Sequence, residues 1–510
     1  MEKVILNGND LTLQEVVDVC RNHAEVGLSE DSKKAVLASR KIVDELVEEK
    51  AVVYGVTTGF GKFCNVVISE DQSKALQKNL IMTHAVGAGD PLPEDAARGM
   101  LLLRINNLAK GYSGIRIETL NTMIEMLNRG VTPVIPSKGS LGASGDLCPL
   151  SHMVLVMLGL GKAYYKGEVL PGAEAMKRAG IPTIELAAKE GLALNNGTQC
   201  MTAVGSLAVY DAIQLLKAAD IACALNFEAQ NGITDALEPR VHELRRHAGQ
   251  AATARNLMRL LADSKNTTHQ GELRVQDAYS LRCAPQIHGA SKDAVDYVKE
   301  KVDIEINSVT DNPIIFPEDR SGISGGNFHG QPMALPFDFL KIAEAEIADV
   351  AECRIERLVN PAYSGLPAFL TNHGGVCSGF MIVQYTAAAL VSENKVLAHP
   401  ASVDSIPSSA GQEDHVSMGT IAARQAAEIG LNVRRVLAMD LMVACQGIDL
   451  RGNKGLGKGT QAAYDLVRKG CATLDEDREL YADINYCESI LADGSLVRAV
   501  EQAIGGELEY

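Results

Sequence analysis

The chain has 510 residues, of which 46% are hydrophobic and 22% are charged, so it is expected to be globular and not disordered. Its 48 basic and 64 acidic side chains give a net charge of −16, which disfavours binding to nucleic acid phosphates and anionic membrane surfaces. We therefore expect no nucleic acid or membrane partner and a small molecule as the ligand.

The N-terminal segment and the cysteines favour a cytoplasmic location. The opening sequence MEKVILNGNDLTLQEVV lacks the basic and long apolar regions of a secretory signal. The 11 cysteines include no C-x-x-C pair, which argues against zinc knuckles and against a disulfide framework. The uncharged segment 191–210 contains Asn195 and Asn196, which a bilayer core would not solvate, so we expect no membrane span.

Apolar residues recur at three- and four-residue spacing along much of the chain, and this spacing predicts a mainly helical fold. Long helices are predicted over residues 201–226, 337–359, 380–398 and 418–446. Helices of this length form bundles and often bury a spare apolar stripe against another subunit. We expect a long-helix bundle and a homo-oligomer.

The chain is predicted to divide near residue 200. Residues 1–200 form a loop-rich N-terminal part that carries the Ala-Ser-Gly segment discussed below, and residues 201–510 form the long central helices and the C-terminal helices. Glycine-rich loops are the expected positions for chemistry. They lie at 55–61, 139–145, 321–330 and 452–459.

Two segments resemble known binding motifs but lack a residue or a spacing that the motif requires. The sequence GNKGLGKG at 452–459 has Gly459 where a phosphate-binding loop needs a hydroxyl for magnesium, so it is interpreted as a turn between helices. The sequence HELRRH separates His242 and His247 by one position too many for both to lie on one face of a helix. A zinc site is therefore not expected there.

A charged cluster on a predicted helix is also interpreted without a catalytic role. Charges opposite a good apolar stripe usually form surface pairs. The cluster comprises Arg354, Glu356 and Arg357.

The segment GSLGASGDLCPLS places three very small residues together at Ala143, Ser144 and Gly145. The Gly145 nitrogen can attack the Ala143 carbonyl carbon, because neither residue has a side chain that blocks a five-membered ring. Loss of one water closes the ring, and loss of the Ser144 hydroxyl as a second water leaves a conjugated methylidene. Such a group is an electrophile, which reactions normally obtain from a cofactor. For the tripeptide alone, an ordinary loop is the alternative interpretation.

The segment resembles the GS-x-GASGDL-x-P-L sequence of the histidine and aromatic amino acid ammonia-lyase family. Further matches occur in the family's order along nearly the whole chain: YGVTTGFG (54–61), THAVGAG (83–89), LNNGTQ (194–199), VQDAYSLRCAPQ (275–286), SGGNFHGQP (324–332) and QEDHVSM (412–418). The resemblance implies the mainly helical fold of the fumarase and aspartase superfamily, a homotetramer, and a 4-methylidene-imidazol-5-one group formed from Ala143, Ser144 and Gly145. It implies neither a metal nor an external cofactor.

The same resemblance implies roles for residues that match the family's motifs. Tyr54 matches a tyrosine that acts near the substrate as acid or base. Asn196 matches the asparagine that contacts the electrophile ring, and Phe328 matches an aromatic wall of the pocket.

Three further residues match polar residues that surround the substrate in the family, and the tyrosine among them is assigned a catalytic role. These are Gln276, Tyr279 and Arg282. Arg282 suits a carboxylate, because its planar guanidinium binds two oxygens at once.

His84 and Glu413 favour the histidine-specific branch of the family. An imidazole needs polar partners, whereas a hydrocarbon ring beside Glu413 would leave the acid buried and unpaired. In the alternative interpretation, His84 is a core histidine and Glu413 an acid at the start of the helix at 418–446. The chain departs from the pattern usual in histidine lyases at Thr57, Ala278, Ala284 and Gly411.

The expected reaction is deamination of L-histidine to trans-urocanate and ammonia. Tyr54 or Glu413 would take the β-proton while Arg282 holds the carboxylate. Three alternatives remain: a tyrosine or phenylalanine ammonia-lyase, a 2,3-aminomutase with the same electrophile, and a catalytically silent helical scaffold. The scaffold would have no reason to keep Ser144.

Overall fold

The computed structural model describes residues 2–49, 51, 53 and 70–510. These residues form two compact units, each assembled from three segments of the chain. The first unit comprises residues 1–210, 299–338 and 400–424, and the second comprises 211–298, 339–399 and 425–510. The chain first passes from one unit to the other after residue 210, and both units are discontinuous in sequence.

Helices dominate the described residues. The α-helices are α1 (Leu13–Cys20), α2 (Glu30–Glu48), α3 (Glu70–His84), α4 (Glu94–Ala109), α5 (Ile117–Arg129), α6 (Leu147–Met157), α7 (Gly172–Arg178), α8 (Glu190–Asn195), α9 (Gln199–Ala229), α10 (Pro239–Glu243), α11 (Ala248–Leu260), α12 (Tyr279–Arg282), α13 (Ala284–Glu305), α14 (Gln331–Val359), α15 (Pro361–Ser364), α16 (Met381–Leu397), α17 (Gly419–Arg451), α18 (Lys458–Gly470), α19 (Tyr481–Ala492) and α20 (Ser495–Ile504). Short 3-10 turns lie at Thr234–Leu237, Ala368–Leu370 and Ser409–Gly411.

The strands are short and form small separate sheets. They are β1 (Val4–Leu6), β2 (Val26–Leu28), β3 (Ala88–Pro91), β4 (Thr132–Pro133), β5 (Pro136–Lys138), β6 (Lys162–Tyr165), β7 (Glu168–Pro171), β8 (Ile314–Phe316) and β9 (Ser321–Ile323). Strand β1 pairs with β2 in parallel, while β3–β5, β4–β6–β7 and β8–β9 pair antiparallel. The β3–β5 pair matters for the site, because β5 leads into the Ala-Ser-Gly segment.

The long helices that the apolar spacing predicts are confirmed as α9, α14, α16 and α17. Small residues allow them to approach closely. Within the first unit, a Cβ added to Gly205 of α9 would lie 2.0 Å from the Phe337 ring of α14, so this contact requires glycine. No helix of the described residues is long and apolar enough to cross a membrane.

In the second unit, a buried polar network joins α9, α13, α14 and α17. On α9, Asp220 accepts hydrogen bonds from Lys292 Nζ at 2.6 Å and His288 Nδ1 at 2.7 Å, both on α13. The Arg354 guanidinium of α14 contacts Asp440 of α17 at 3.0 Å. Buried charges of opposite sign satisfy one another here, and the four helices form the predicted bundle.

The interpretation of Arg354 as part of a surface pair is wrong, because its side chain is fully buried against Asp440. The periodic pattern alone could not show that another helix brings an acid to this position. The turn interpretation of 452–459 is confirmed: α18 begins at Lys458, and the Gly457 N–H donates to the Glu228 carboxylate at 2.8 Å.

Candidate active site

The Ala-Ser-Gly segment is a tight bend between β5 and α6 in the first unit. Gly145 has φ +72°, and a Cβ added to it would lie 2.1 Å from the Gly197 carbonyl oxygen. No other residue type fits, because the left-handed backbone and the contact with Gly197 both exclude a side chain. Glycine at this position is therefore a steric requirement of the fold.

The segment that follows α8 holds the bend from one side. Gly145 and Gly197 form a parallel β-bridge, and the Asp146 N–H donates to the Gly197 carbonyl oxygen at 2.7 Å. Gly197 N–H in turn donates to the Ser144 carbonyl oxygen at 3.4 Å. The backbone on both sides of Ser144 is thus constrained.

The buried carboxylate of Asp146 also holds the bend in place. It accepts hydrogen bonds from Ser140 Oγ at 2.8 Å, from Met201 N–H at 2.9 Å and from the Thr420 hydroxyl. Burial raises the pKa of Asp146, and these donors oppose that rise by stabilising the ionised form. No role for this acid was expected from the sequence, although its place directly after Gly145 was the available signal.

Ala143 lies in a small apolar cluster with Val416 and Met418, and its side chain is buried. The backbone around it is also fixed, because Gly142 accepts from Ser417 Oγ at 2.9 Å and Met418 N–H donates to Leu141 O at 2.9 Å. The QEDHVSM segment therefore lies against the bend. The sequence motifs alone did not reveal this contact.

Ser144 and Glu413 meet directly. Ser144 Oγ donates to Glu413 Oε1 at 3.1 Å, and both line a cavity of about 210 Å³ together with His84. His84 is the last residue of α3, and Thr83 Oγ1 lies 3.3 Å from its Nδ1. Partial burial lowers the pKa of His84, while Leu80 O and the nearby charge of Glu413 oppose that change. The neutral imidazole is favoured at neutral pH.

Asn196 lies directly before Gly197 and is 3% exposed. Its Nδ2 donates to the Asn312 carbonyl oxygen at 3.2 Å, whereas no donor within the described ranges reaches its Oδ1. A buried acceptor without a partner is costly, so this oxygen is available to a group that binds or forms beside the bend.

Phe328 is half-buried, in a turn whose residue Gly330 donates its N–H to Gly142 O at 3.2 Å. The turn therefore lies next to the bend in the first unit. Tyr54 falls outside the described residues.

The remaining predicted site residues belong to the second unit. The Arg282 guanidinium lies over the Tyr279 ring at 4.8 Å from its centroid, and Arg282 Nε donates to Asp277 O at 3.1 Å. Gln276 and Tyr279 are exposed. A guanidinium group can bind a planar acceptor such as a carboxylate through two nitrogens at once.

His152, which no sequence motif singled out, contacts the segment that follows α3. Its Nε2 accepts from the Gly87 N–H at 2.9 Å and so holds the segment that follows His84. Burial lowers the pKa of His152, which keeps Nε2 an acceptor. Among the described residues, no group of His, Cys, Asp or Glu is arranged to hold a metal ion.

Comparison with known proteins gives a consistent result. A sequence profile for aromatic amino acid lyases matches residues 11–469. The chain is 64% identical over 504 residues, 99% of each chain, to the histidine ammonia-lyase of Alkaliphilus oremlandii. It superimposes with a TM-score of 0.92 and 42% identity on the histidine ammonia-lyase structure from Trypanosoma cruzi, covering 98% of this chain and 96% of that one. For the tyrosine aminomutase structure from Streptomyces globisporus the TM-score is 0.96 at 37% identity, with full coverage of both chains.

The mainly helical fold thus agrees with these matches, which extend across nearly the full length of the chain. The chain belongs to the aromatic amino acid lyase family.

Proposed function

We propose that the protein removes ammonia from L-histidine and releases trans-urocanate. The observation that carries this proposal is the presence of His84 and Glu413 in the cavity wall that also contains Ser144. An imidazole finds in Glu413 a carboxylate that can pair with a ring nitrogen, which a phenyl ring would leave unpaired. Relatives named histidine ammonia-lyase that match nearly the full length support the same substrate.

We also propose that Ala143, Ser144 and Gly145 form a methylidene-imidazolone. The support is the left-handed Gly145, the constrained backbone around Ser144 and the Oδ1 of Asn196, which has no hydrogen-bond donor among the described residues. This group supplies an electron sink that turns the substrate amine into a better leaving group. The residues present fit the group without any external cofactor.

The chain's own side chains would bind and orient the substrate. Glu413 Oε1 points at Ser144 and can accept a proton or pair with the imidazole. His84 supplies a second polar contact, and Phe328 an apolar wall. Arg282 is proposed to hold the substrate carboxylate through its terminal nitrogens.

Three further residues are proposed from the matched motifs alone. Tyr279 and Gln276 would act with Arg282, since all three belong to the matched VQDAYSLRCAPQ segment. Tyr54 is the alternative to Glu413 as the base for the β-proton, by its match to the family motif.

A tyrosine or phenylalanine lyase and a 2,3-aminomutase remain the alternatives. The aminomutase of Streptomyces globisporus has the same fold at 37% identity, so the fold does not distinguish elimination from amine migration. The higher identity to histidine ammonia-lyases favours histidine as substrate. A catalytically silent scaffold has little support, because the chain keeps both Ser144 and its partner Glu413.

We propose a homotetramer in the cytoplasm. Large apolar side chains remain exposed on two helices of the second unit, namely Phe339 and Ile342 of α14 and Ile382 and Tyr385 of α16. Faces of this kind are usually covered by another copy of the chain. Free thiols at ten cysteines of the described residues suit a reducing compartment.

The experiment is an ultraviolet assay of the purified protein with L-histidine, L-tyrosine and L-phenylalanine in separate reactions. Urocanate from histidine, with little product from the other two, is the expected result. Absence of urocanate, or a β-amino acid as the product, would overturn the proposal. Intact mass tests the electrophile, because the mature chain lacks two waters, and light scattering tests the tetramer.

A further inference from the structure

Glu413 has a second partner besides Ser144. Ser408 Oγ donates to Glu413 Oε2 at 3.1 Å, while Ser144 Oγ donates to Oε1 at the same distance. The two oxygens of the carboxylate are therefore held by two different hydroxyls. The Ser408 hydroxyl sets the orientation of the carboxylate plane.

The backbone brings Ser408 to this position. Ser408 N–H donates to Glu413 O at 2.8 Å, and Glu413 N–H donates to Ser408 O at 3.3 Å, which closes the intervening turn. The turn needs three consecutive residues with positive φ: Ser409 at 52°, Ala410 at 55° and Gly411 at 82°. Gly411, which departs from the family pattern, takes the largest of these angles without steric cost.

The chain after Glu413 is anchored as well. Val416 N–H donates to Ser405 Oγ at 3.1 Å, and Ser417 Oγ donates to Gly142 O at 2.9 Å. With the backbone fixed on both sides, the remaining freedom of Glu413 lies in its side-chain torsions. A glutamate side chain loses substantial rotamer entropy when it is held in one orientation. The Ser408 hydroxyl supplies the contact that restricts these torsions.

We propose that Ser408 is a positioning residue that holds Glu413 toward residue 144, both before and after the electrophile forms. This inference rests on the proposed function. When Ser144 loses its hydroxyl as water, Glu413 Oε1 loses that donor, whereas the Ser408 bond to Oε2 persists. Oε1 is then directed at the substrate beside the new methylidene carbon, without a competing protein donor from Ser144.

The test compares the full-length variants Ser408→Ala, Ser408→Val and Ser408→Thr. Threonine keeps the hydroxyl, and valine has nearly the same size without it, so this pair isolates the hydrogen bond. Ser409→Ala is the matched control, because Ser409 is the exposed neighbour in the same turn. Two quantities are measured: the fraction of chains that have lost two waters at fixed times after expression, and kcat and KM for L-histidine.

We expect Ala and Val at residue 408 to lower kcat/KM about ten- to a hundredfold, which is the usual effect of losing a hydrogen bond to a charged group. Both should also slow the loss of water. The Thr variant and Ser409→Ala should stay within about threefold of the unaltered protein. In a Glu413→Gln background, removing the Ser408 hydroxyl should have little further effect, because Ser408 acts through Glu413.

Unaltered kinetics and unaltered water loss in both Ser408→Ala and Ser408→Val would overturn the proposal. An equal loss of activity in the Glu413→Gln background would also overturn it, since that result indicates a general structural role. If the unaltered protein loses two waters but deaminates none of the amino acids tried, the proposed function fails. In that case the rate of water loss in the Ser408 variants, compared with the unaltered protein, still tests the role of Ser408.

Discussion

Ser144 Oγ donates a hydrogen bond to Glu413 Oε1 at 3.1 Å, across a sequence separation of 269 residues. The residue proposed to become the electrophile thus lies against the acid proposed to act on the substrate. The contact places both groups in one cavity wall with His84.

Replacing Glu413 by glutamine removes the negative charge but keeps the shape of the side chain. We expect kcat/KM for histidine to fall at least about a hundredfold, because the amide neither accepts a proton nor pairs equally well with an imidazole. Steady-state urocanate production measures the effect. Asp414→Asn, at the exposed neighbouring acid, should change kcat/KM by less than about threefold. Equal effects of the two variants would contradict the proposed role.

Replacing His84 by leucine removes a polar contact with the substrate ring. We expect kcat/KM for L-histidine to fall about ten- to a hundredfold, chiefly through KM, because the imidazole loses a hydrogen-bonding partner. The kcat/KM for L-phenylalanine as substrate should fall much less, since its ring makes no such hydrogen bond. Parallel kinetics with both substrates test this, and an equal loss for both would argue against a role of His84 in substrate choice.

Gly145→Ala should destabilise the protein and prevent loss of the two waters. The new Cβ would lie 2.1 Å from Gly197 O, which forces the bend apart. We expect a loss of at least about 3 kcal/mol in the free energy of unfolding, since a clash adds to the cost of a left-handed alanine. Intact mass and denaturant titration measure the two effects.

Gly130→Ala is the control for this variant. Gly130 has the same φ of +72°, and nothing lies within 4 Å of a Cβ added there. Its substitution should cost only about 1–2 kcal/mol, and the protein should still lose both waters. If Gly145→Ala behaves like Gly130→Ala, the close contact with Gly197 is not a requirement of the fold.

Glu344 predicts a pH dependence of stability. It is buried in the second unit, and neither carboxylate oxygen has a hydrogen-bond partner among the described residues. Burial raises the pKa of Glu344 well above its ordinary value, and Asp211 adds to the effect while Arg434 opposes it. The folded state thus binds this proton more tightly than the unfolded state, so stability falls as pH rises from the ordinary glutamate pKa through the raised one.

In the Glu344→Gln variant the free energy of unfolding should decrease less with rising pH, because the amide does not ionise. Above the raised pKa we expect the variant to be more stable than the unaltered protein by about 1–3 kcal/mol. Denaturant titrations from pH 5 to 9 measure it, with the exposed Glu428→Gln as control. A variant whose stability follows the same pH curve as the unaltered protein would contradict the prediction.

The helical character of the chain and the segment that can cyclise were both predictable from sequence patterns. Apolar spacing predicted helices at 337–359 and 418–446, which fall on α14 (Gln331–Val359) and α17 (Gly419–Arg451), because helix periodicity is a local property. The small residues at 143–145 identified the segment that can cyclise, because ring closure depends on adjacent atoms. The matched motifs predicted that His84 and Glu413 belong to the substrate site.

Contacts between groups that lie far apart in the sequence became known only from the folded structure. The carboxylate of Asp440 turned Arg354 from an expected surface charge into a buried one, and Gly197 made Gly145 a steric requirement. Ser408 had no sequence signal, since a serine in a turn is ordinary and its partner oxygen on Glu413 is defined only by the folded turn. Contacts of this kind depend on packing between separate segments, which local propensity does not encode.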